Sequence, residues 1–111
     1  MKVGVIEHFD SMHLLPGHPK CGVPHGHTYR VEVAVEGEVK NGMVIDFDVL
    51  KRNLRELLKA YDHTDLNKLL PFPSCENIAS ELLAKLKARI ADVRMSVKVW
   101  EGEAKWAEAE G

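Results

Sequence analysis

The segment Lys20 to Gly37, KCGVPHGHTYRVEVAVEG, places a thiol and two histidines at the mouth of a strand. If residues 25 to 29 are already extended, His25 and His27 project to one side with Cα atoms about 7 Å apart, since side chains alternate and each residue rises about 3.3 Å. Two imidazoles on one face can share a metal ion. Catalytic zinc usually takes three protein donors and keeps a fourth position open, so a third donor is wanted. His13, in FDSMHLLPGH, is the strongest candidate because it ends a first strand that hairpin pairing would return to the second; His8 and His18 compete with it. Taken alone, His-x-His on a strand is better explained by solvated side chains. Cys21 changes that balance.

Cys21 lies four residues before His25 in a loop containing Gly22 and Pro24, so core filling explains it poorly. A nearby metal or cationic group would lower its pKa and supply thiolate as a base or nucleophile. Alternatively it is a fourth zinc ligand, which would close the site and make it structural. Asp62-His63 in YDHTDLN offers a carboxylate beside an imidazole, the pair needed for general acid–base work; its bland alternative is helix C-capping. Glu101 follows the apolar positions Met95, Val97 and Val99, and is either a buried carboxylate needing a donor or part of an exposed turn with Gly102 and Glu103.

These residues need elements to position them. At 111 residues the chain is expected to form one domain over 1–111, with 45% hydrophobic and 29% charged residues, ordinary for a globular protein. A net charge of -2 supplies no basic field for nucleic acid. The N-terminus MKVGVIEHFD lacks a secretory apolar core and no run reaches membrane-spanning length, so a cytoplasmic location with free Cys21 and Cys75 is expected.

Tyr29, Val31, Val33 and Val35 share one strand face. Lys2 to Phe9 gives a weaker preceding strand, and Asn41-Gly42 a turn. From Phe47 the period changes to that of a helix: Phe47, Leu50, Leu54, Leu57 or Leu58, and Tyr61, with Asp46 or Asp48 as cap. A polar, Pro-containing loop separates this helix from a second stripe at Ile78, Leu82, Leu86 and Ile90, with Ser74 as N-cap and Glu76 near the positive end of the helix dipole. Met95 to Trp100 alternates again, and Gly102 turns into a last short strand. The expected order is β-β-α-α-β-β, an α+β fold with both helices on one face of an antiparallel sheet.

FDSMHLLPGHPKCGVPHGHTYRVEVAVEG, GMVIDF, YDHTDLN, PSCENIA and VKVWEG resemble, in order and spacing, the 6-pyruvoyltetrahydropterin synthase / 6-carboxytetrahydropterin synthase family over nearly the whole chain. Cys-x-x-x-His-Gly-His is the most specific element. The resemblance implies the tunnelling fold (T-fold), whose subunits join sheets into an oligomeric barrel, commonly a homohexamer built as a dimer of trimers. It implies zinc on His13, His25 and His27, with Cys21 as catalytic base. Asp62 and His63 would complete a proton relay from a neighbouring subunit, Glu101 would anchor the guanidine-like edge of a pterin, and Ser74, Cys75 and Glu76 would line its pocket.

Three positions depart from the pattern: Met12, Cys75 and Gly102 stand where a small residue, Thr or Ala, and Thr are usual. They bear on pocket shape, not on the metal triad. The short chain resembles the compact prokaryotic 6-carboxytetrahydropterin synthases of 7-deazaguanine biosynthesis. The implied reaction converts 7,8-dihydroneopterin triphosphate to 6-carboxy-5,6,7,8-tetrahydropterin, acetaldehyde and triphosphate. Formation of 6-pyruvoyltetrahydropterin or cleavage of a pterin side chain is the second reading, and a non-catalytic zinc module with Cys21 as fourth ligand is the reading of another class.

Overall fold

The alternation of β2 (His25–Glu36) dictates the architecture: Tyr29, Val31, Val33 and Val35 are all at most 1% exposed, while their sequence neighbours face outward. In this computed structural model, which describes residues 1–111, β2 pairs antiparallel with β1 (Lys2–His13) from Lys2↔Glu36 to His13↔His25 without interruption. β3 (Arg94–Glu101) adds to its other side and β4 (Lys105–Glu110) follows, giving the strand order β1-β2-β3-β4. The last strand is paired with β3 as far as Glu110.

Two helices cover the apolar face. α1 (Phe47–Leu58) begins where the Asp46 carboxylate accepts from the Asp48 N–H, settling the cap in favour of Asp46. It buries Leu50, Leu54 and Leu58, whereas Phe47 in its first turn stays exposed. α2 (Cys75–Arg89) starts at Ser74, whose hydroxyl accepts from the Asn77 N–H, and buries Cys75, Ile78, Ala79, Leu82 and Leu86. Each fully buried aliphatic chain contributes about 1.5–3 kcal/mol relative to exposure. These helix stripes and the inward face of the sheet form one core, with Phe9 stacked on Tyr29 at 4.7 Å between ring centroids.

Several details differ from the expectations. α1 stops at Leu58, leaving Tyr61 of the expected stripe in the turn that follows it. β1 runs four residues beyond Phe9, because Ser11 and His13 continue its inward alternation with polar side chains. The loop after α1 contains a short 3-10 turn, Leu66–Lys68, capped by the Asp65 carboxylate on the Asn67 N–H. The Asn41-Gly42 turn is present, with φ of 52° and 80°, but the residues after it form only an isolated bridge between Lys40 and Met43. No helix is long and apolar enough to cross a membrane.

Candidate metal and pterin site

The inward stripe of β2 does not end at Tyr29. It continues through His27 and His25 to the end of the sheet, where His13 arrives as the cross-strand partner of His25. The three imidazoles are therefore the last rungs of the core-facing surface. His13 is 1% exposed, and its ring meets those of His25 and His27 edge-on at centroid distances of 4.6 and 5.0 Å. The competition for the third position resolves by strand parity and by hydrogen bonding. His8 lies on the outward face of β1, and His18 Nδ1 accepts the Cys21 N–H at 2.9 Å, which closes the loop between the strands.

Backbone carbonyls fix the tautomers. Pro73 O lies 2.8 Å from His13 Nδ1 and Val23 O lies 2.7 Å from His25 Nδ1. A carbonyl only accepts, so both Nδ1 atoms carry a proton, and in the neutral rings both Nε2 atoms are bare. Those two lone pairs face each other at 2.9 Å, an arrangement that requires a proton or a cation between them. His27 Nε2 is buried and has no hydrogen-bond partner, although Glu101 Oε1 approaches to 3.1 Å. Burial, opposed by Glu101 and reinforced more weakly by the neighbouring imidazoles, holds the His27 pKa below its ordinary value, so the ring favours the neutral, ligating form.

Donor atoms of His13, His25, His27 and Glu101 all lie within 4.8 Å of one another. This set fits a divalent transition metal. Tetrahedral zinc with bonds of about 2.0–2.1 Å holds its donors about 3.4 Å apart, so the closest pair need open only by about half an ångström. Cys21 does not belong to this group of converging donors. It sits half-buried in the loop, with its carbonyl accepting from the Leu15 N–H at 2.7 Å.

Glu101 ends β3 opposite Tyr29, which makes His27 its diagonal neighbour on the same face. It is a largely buried carboxylate and not part of an exposed turn, as its 15% side-chain exposure shows. Cys75, the first residue of α2, brings its sulfur to 3.8 Å from Glu101 Oε2, and burial together with that carboxylate pushes the thiol up to about 12. Ser74 is buried beside it as the cap, whereas Glu76 is exposed.

Asp62 and His63 assemble elsewhere, on the outward side of β1. The Asp62 carboxylate accepts the Asp10 N–H at 2.9 Å and pairs with His63 Nδ1 at 2.8 Å. The Asp10 N–H, then His63, hold the Asp62 pKa below its usual value, and the carboxylate raises that of His63. His63 does not cap α1, whose C-cap is Lys59; it occupies a left-handed conformation at φ 52° and donates its N–H to Asp10 O. Ser11, which the sequence did not mark, ties this turn down from inside by bonding Tyr61 O at 2.7 Å and accepting the Thr64 N–H at 3.2 Å. Its only signal was a hydroxyl at an inward position of a strand.

The sequence model described as 6-pyruvoyl tetrahydropterin synthase matches residues 2–111. An Archaeoglobus fulgidus protein provisionally named a 6-carboxy-5,6,7,8-tetrahydropterin synthase is 45% identical over 109 residues, spanning 97% of this chain and 94% of that one. The dihydroneopterin monophosphate aldolase of Pyrococcus furiosus is 41% identical over 80 residues, 70% of each chain. The solved structure of Caenorhabditis elegans 6-pyruvoyl tetrahydropterin synthase superposes with a TM-score of 0.90 at 25% identity, covering 100% of this chain and 95% of that one. It confirms the T-fold subunit expected from the sequence, four antiparallel strands with two helices. Because the family match begins at Lys2 and runs to the last residue, through every element that carries the site, this chain belongs to the 6-pyruvoyl tetrahydropterin synthase family.

Proposed function

We propose that this member of the tetrahydropterin synthase family is a zinc-dependent lyase that converts 7,8-dihydroneopterin triphosphate to 6-carboxy-5,6,7,8-tetrahydropterin with release of acetaldehyde and triphosphate. The observation that carries the metal requirement is the convergence of two bare Nε2 atoms at 2.9 Å with a third, orphaned one. The similarity to the A. fulgidus relative supports the reaction. Zinc held by His13, His25 and His27 would supply Lewis-acid polarisation of the substrate's side-chain hydroxyls.

The remaining chemistry falls to the chain's own groups. Cys21, outside the donor cluster, is the base that takes the side-chain proton. Asp62 and His63 face away from the triad of their own chain, which supports their completing the relay in a neighbouring subunit of an oligomer, a hexamer in this reading. Glu101, at the floor of the site beside Cys75, receives the paired N–H groups of the pterin edge. Ser74 and Glu76, on either side of Cys75, complete the pocket wall. A cytoplasmic enzyme of 7-deazaguanine biosynthesis is the setting this reaction implies.

Retro-aldol cleavage is the second reading, favoured by the similarity to the P. furiosus aldolase. Incubation of zinc-loaded protein with dihydroneopterin triphosphate and, separately, with the monophosphate decides between them by product mass. A carboxylated tetrahydropterin with acetaldehyde supports the first; a hydroxymethyl pterin supports the second. Stoichiometric zinc without turnover of either substrate would overturn both and leave the structural module.

A further inference from the structure

Glu101 is a largely buried carboxylate with too little to hold it. A buried carboxylate ordinarily accepts from strong donors. Around this one stand the Cys75 thiol, a weak donor at 3.8 Å, and His27 Nε2 at 3.1 Å, which makes no hydrogen bond to it. Lys105, its cross-strand partner, forms no ion pair with it. Oε2, the oxygen nearest the thiol, lies 4.0 Å from His13 Nε2, so both carboxylate oxygens border the triad. A donor-poor carboxylate, two imidazole nitrogens that face each other at 2.9 Å and a third without a partner thus share one pocket, within 4.8 Å of each other.

Resting on the metal reading above, we propose that Glu101 is the fourth donor of the cation in the pterin-free chain, and that it leaves the cation to bind the pterin ring. A dication held by three neutral imidazoles keeps its full double charge in a half-buried site; one carboxylate halves it and completes the four-donor tetrahedron of a closed site. The pterin edge needs both oxygens of the same carboxylate for a bidentate pair. Glu101 cannot serve both. Seating the ring therefore opens the coordination position that the side-chain hydroxyls require, and no other small ligand has access to that position beforehand. The two roles of one residue make ring recognition a precondition for activation.

Cobalt(II)-substituted protein gives a direct readout through its visible spectrum, with azide as the probe of an open position. In the wild-type protein azide should leave the spectrum unchanged; after addition of unsubstituted pterin, which has no side-chain hydroxyls, azide should perturb it. Glu101→Gln, nearly the same shape, should take azide without pterin. It should also hold cobalt at least about 10–100-fold more weakly in chelator competition, the loss seen even for groups one step removed from a metal. Azide binding to the pterin-free wild type as readily as to Glu101→Gln, with equal cobalt affinity, would overturn the proposal while leaving the metal site intact. Should Glu101→Gln fail to fold by circular dichroism, the wild-type azide titration with and without pterin decides the matter alone. No cobalt uptake by the wild type would instead remove the metal reading itself, and this proposal with it.

Discussion

Replacing Ser11 by Ala tests whether the turn bearing Asp62 and His63 is held by a single hydroxyl. Ser11 is 8% exposed. Its one O–H is shared between two carbonyls, Tyr61 O and Thr64 O, and its oxygen accepts the Thr64 N–H. Thr64 O keeps the Met12 N–H as a second partner at 3.1 Å, so the substitution orphans two groups, not three. A buried carbonyl left unsatisfied costs about 1–3 kcal/mol, and the partly buried Thr64 N–H about 1 kcal/mol after water reaches it, for a total of about 2–4 kcal/mol. With an unfolding entropy of about 2.1 cal/mol/K per residue, the 111-residue chain has about 0.23 kcal/mol/K, and the expected fall in Tm is about 9–17 °C. Calorimetry at one fixed protein concentration is the assay, because assembly makes Tm concentration-dependent. A second readout separates the turn from the rest of the fold: the NMR titration of His63, whose pKa is raised by the Asp62 contact, should move back toward 6.5. A loss under about 0.5 kcal/mol with an unmoved His63 titration would refute the idea that Ser11 clamps this turn.

Asp62→Asn should return the His63 titration to near 6.5, measured by NMR, because the carboxylate is the first cause of its elevation. With His63 raised and Asp62 lowered, the pair's contribution to stability is full between about 3.8 and 6.5, fades as pH rises through the raised value of His63, and fades again as pH falls through the lowered value of Asp62. Cys21→Ala should retain zinc and pterin binding while turnover falls by about 10²–10⁴; parallel loss of zinc and thermal stability would instead make Cys21 a ligand. Inactive Cys21→Ala and His63→Ala chains, mixed and reassembled, should recover part of the activity, and persistent inactivity would place the relay within one subunit. Gly22→Ala should displace the Cys21 loop and lower activity with metal content intact, since a Cβ there would sit 2.6 Å from His18 O. Gly26→Ala, whose nearest contact would be 3.7 Å away, should leave fold and metal content unchanged.

The histidine site was legible because period-two alternation is a local rule: knowing that Val31 faces inward places Tyr29, His27 and His25 inward as well. His13 could be ranked but not chosen, because the choice depends on register, and His13↔His25 is a long-range fact. The end of β1 was missed for a related reason. Ser11 and His13 are polar residues at inward positions, and polarity breaks the apolar pattern at the place where the site begins. The contact between Glu101 and His27 joins separate strands diagonally, and no local pattern of either strand reports it. The capped helices were readable since Asp46 and Ser74 act on N–H groups only two or three residues away.

The parity of β1 has a consequence for how the chain reaches its fold. Phe9, Ser11 and His13 face inward while Asp10 and Met12 face outward, and a slip of one residue would exchange the two sets. Asp10 would enter the core and Met12 would stand where the third imidazole belongs, so a slipped chain cannot assemble three histidines. A cation that binds only the correct pairing adds its binding energy to that state alone, about 2.7 kcal/mol when its free concentration is 100 times the dissociation constant. With zinc in the proposed site, metal supply would act as a proofreader of strand pairing, and refolding yield should fall in the presence of a chelator even where no substrate is ever turned over.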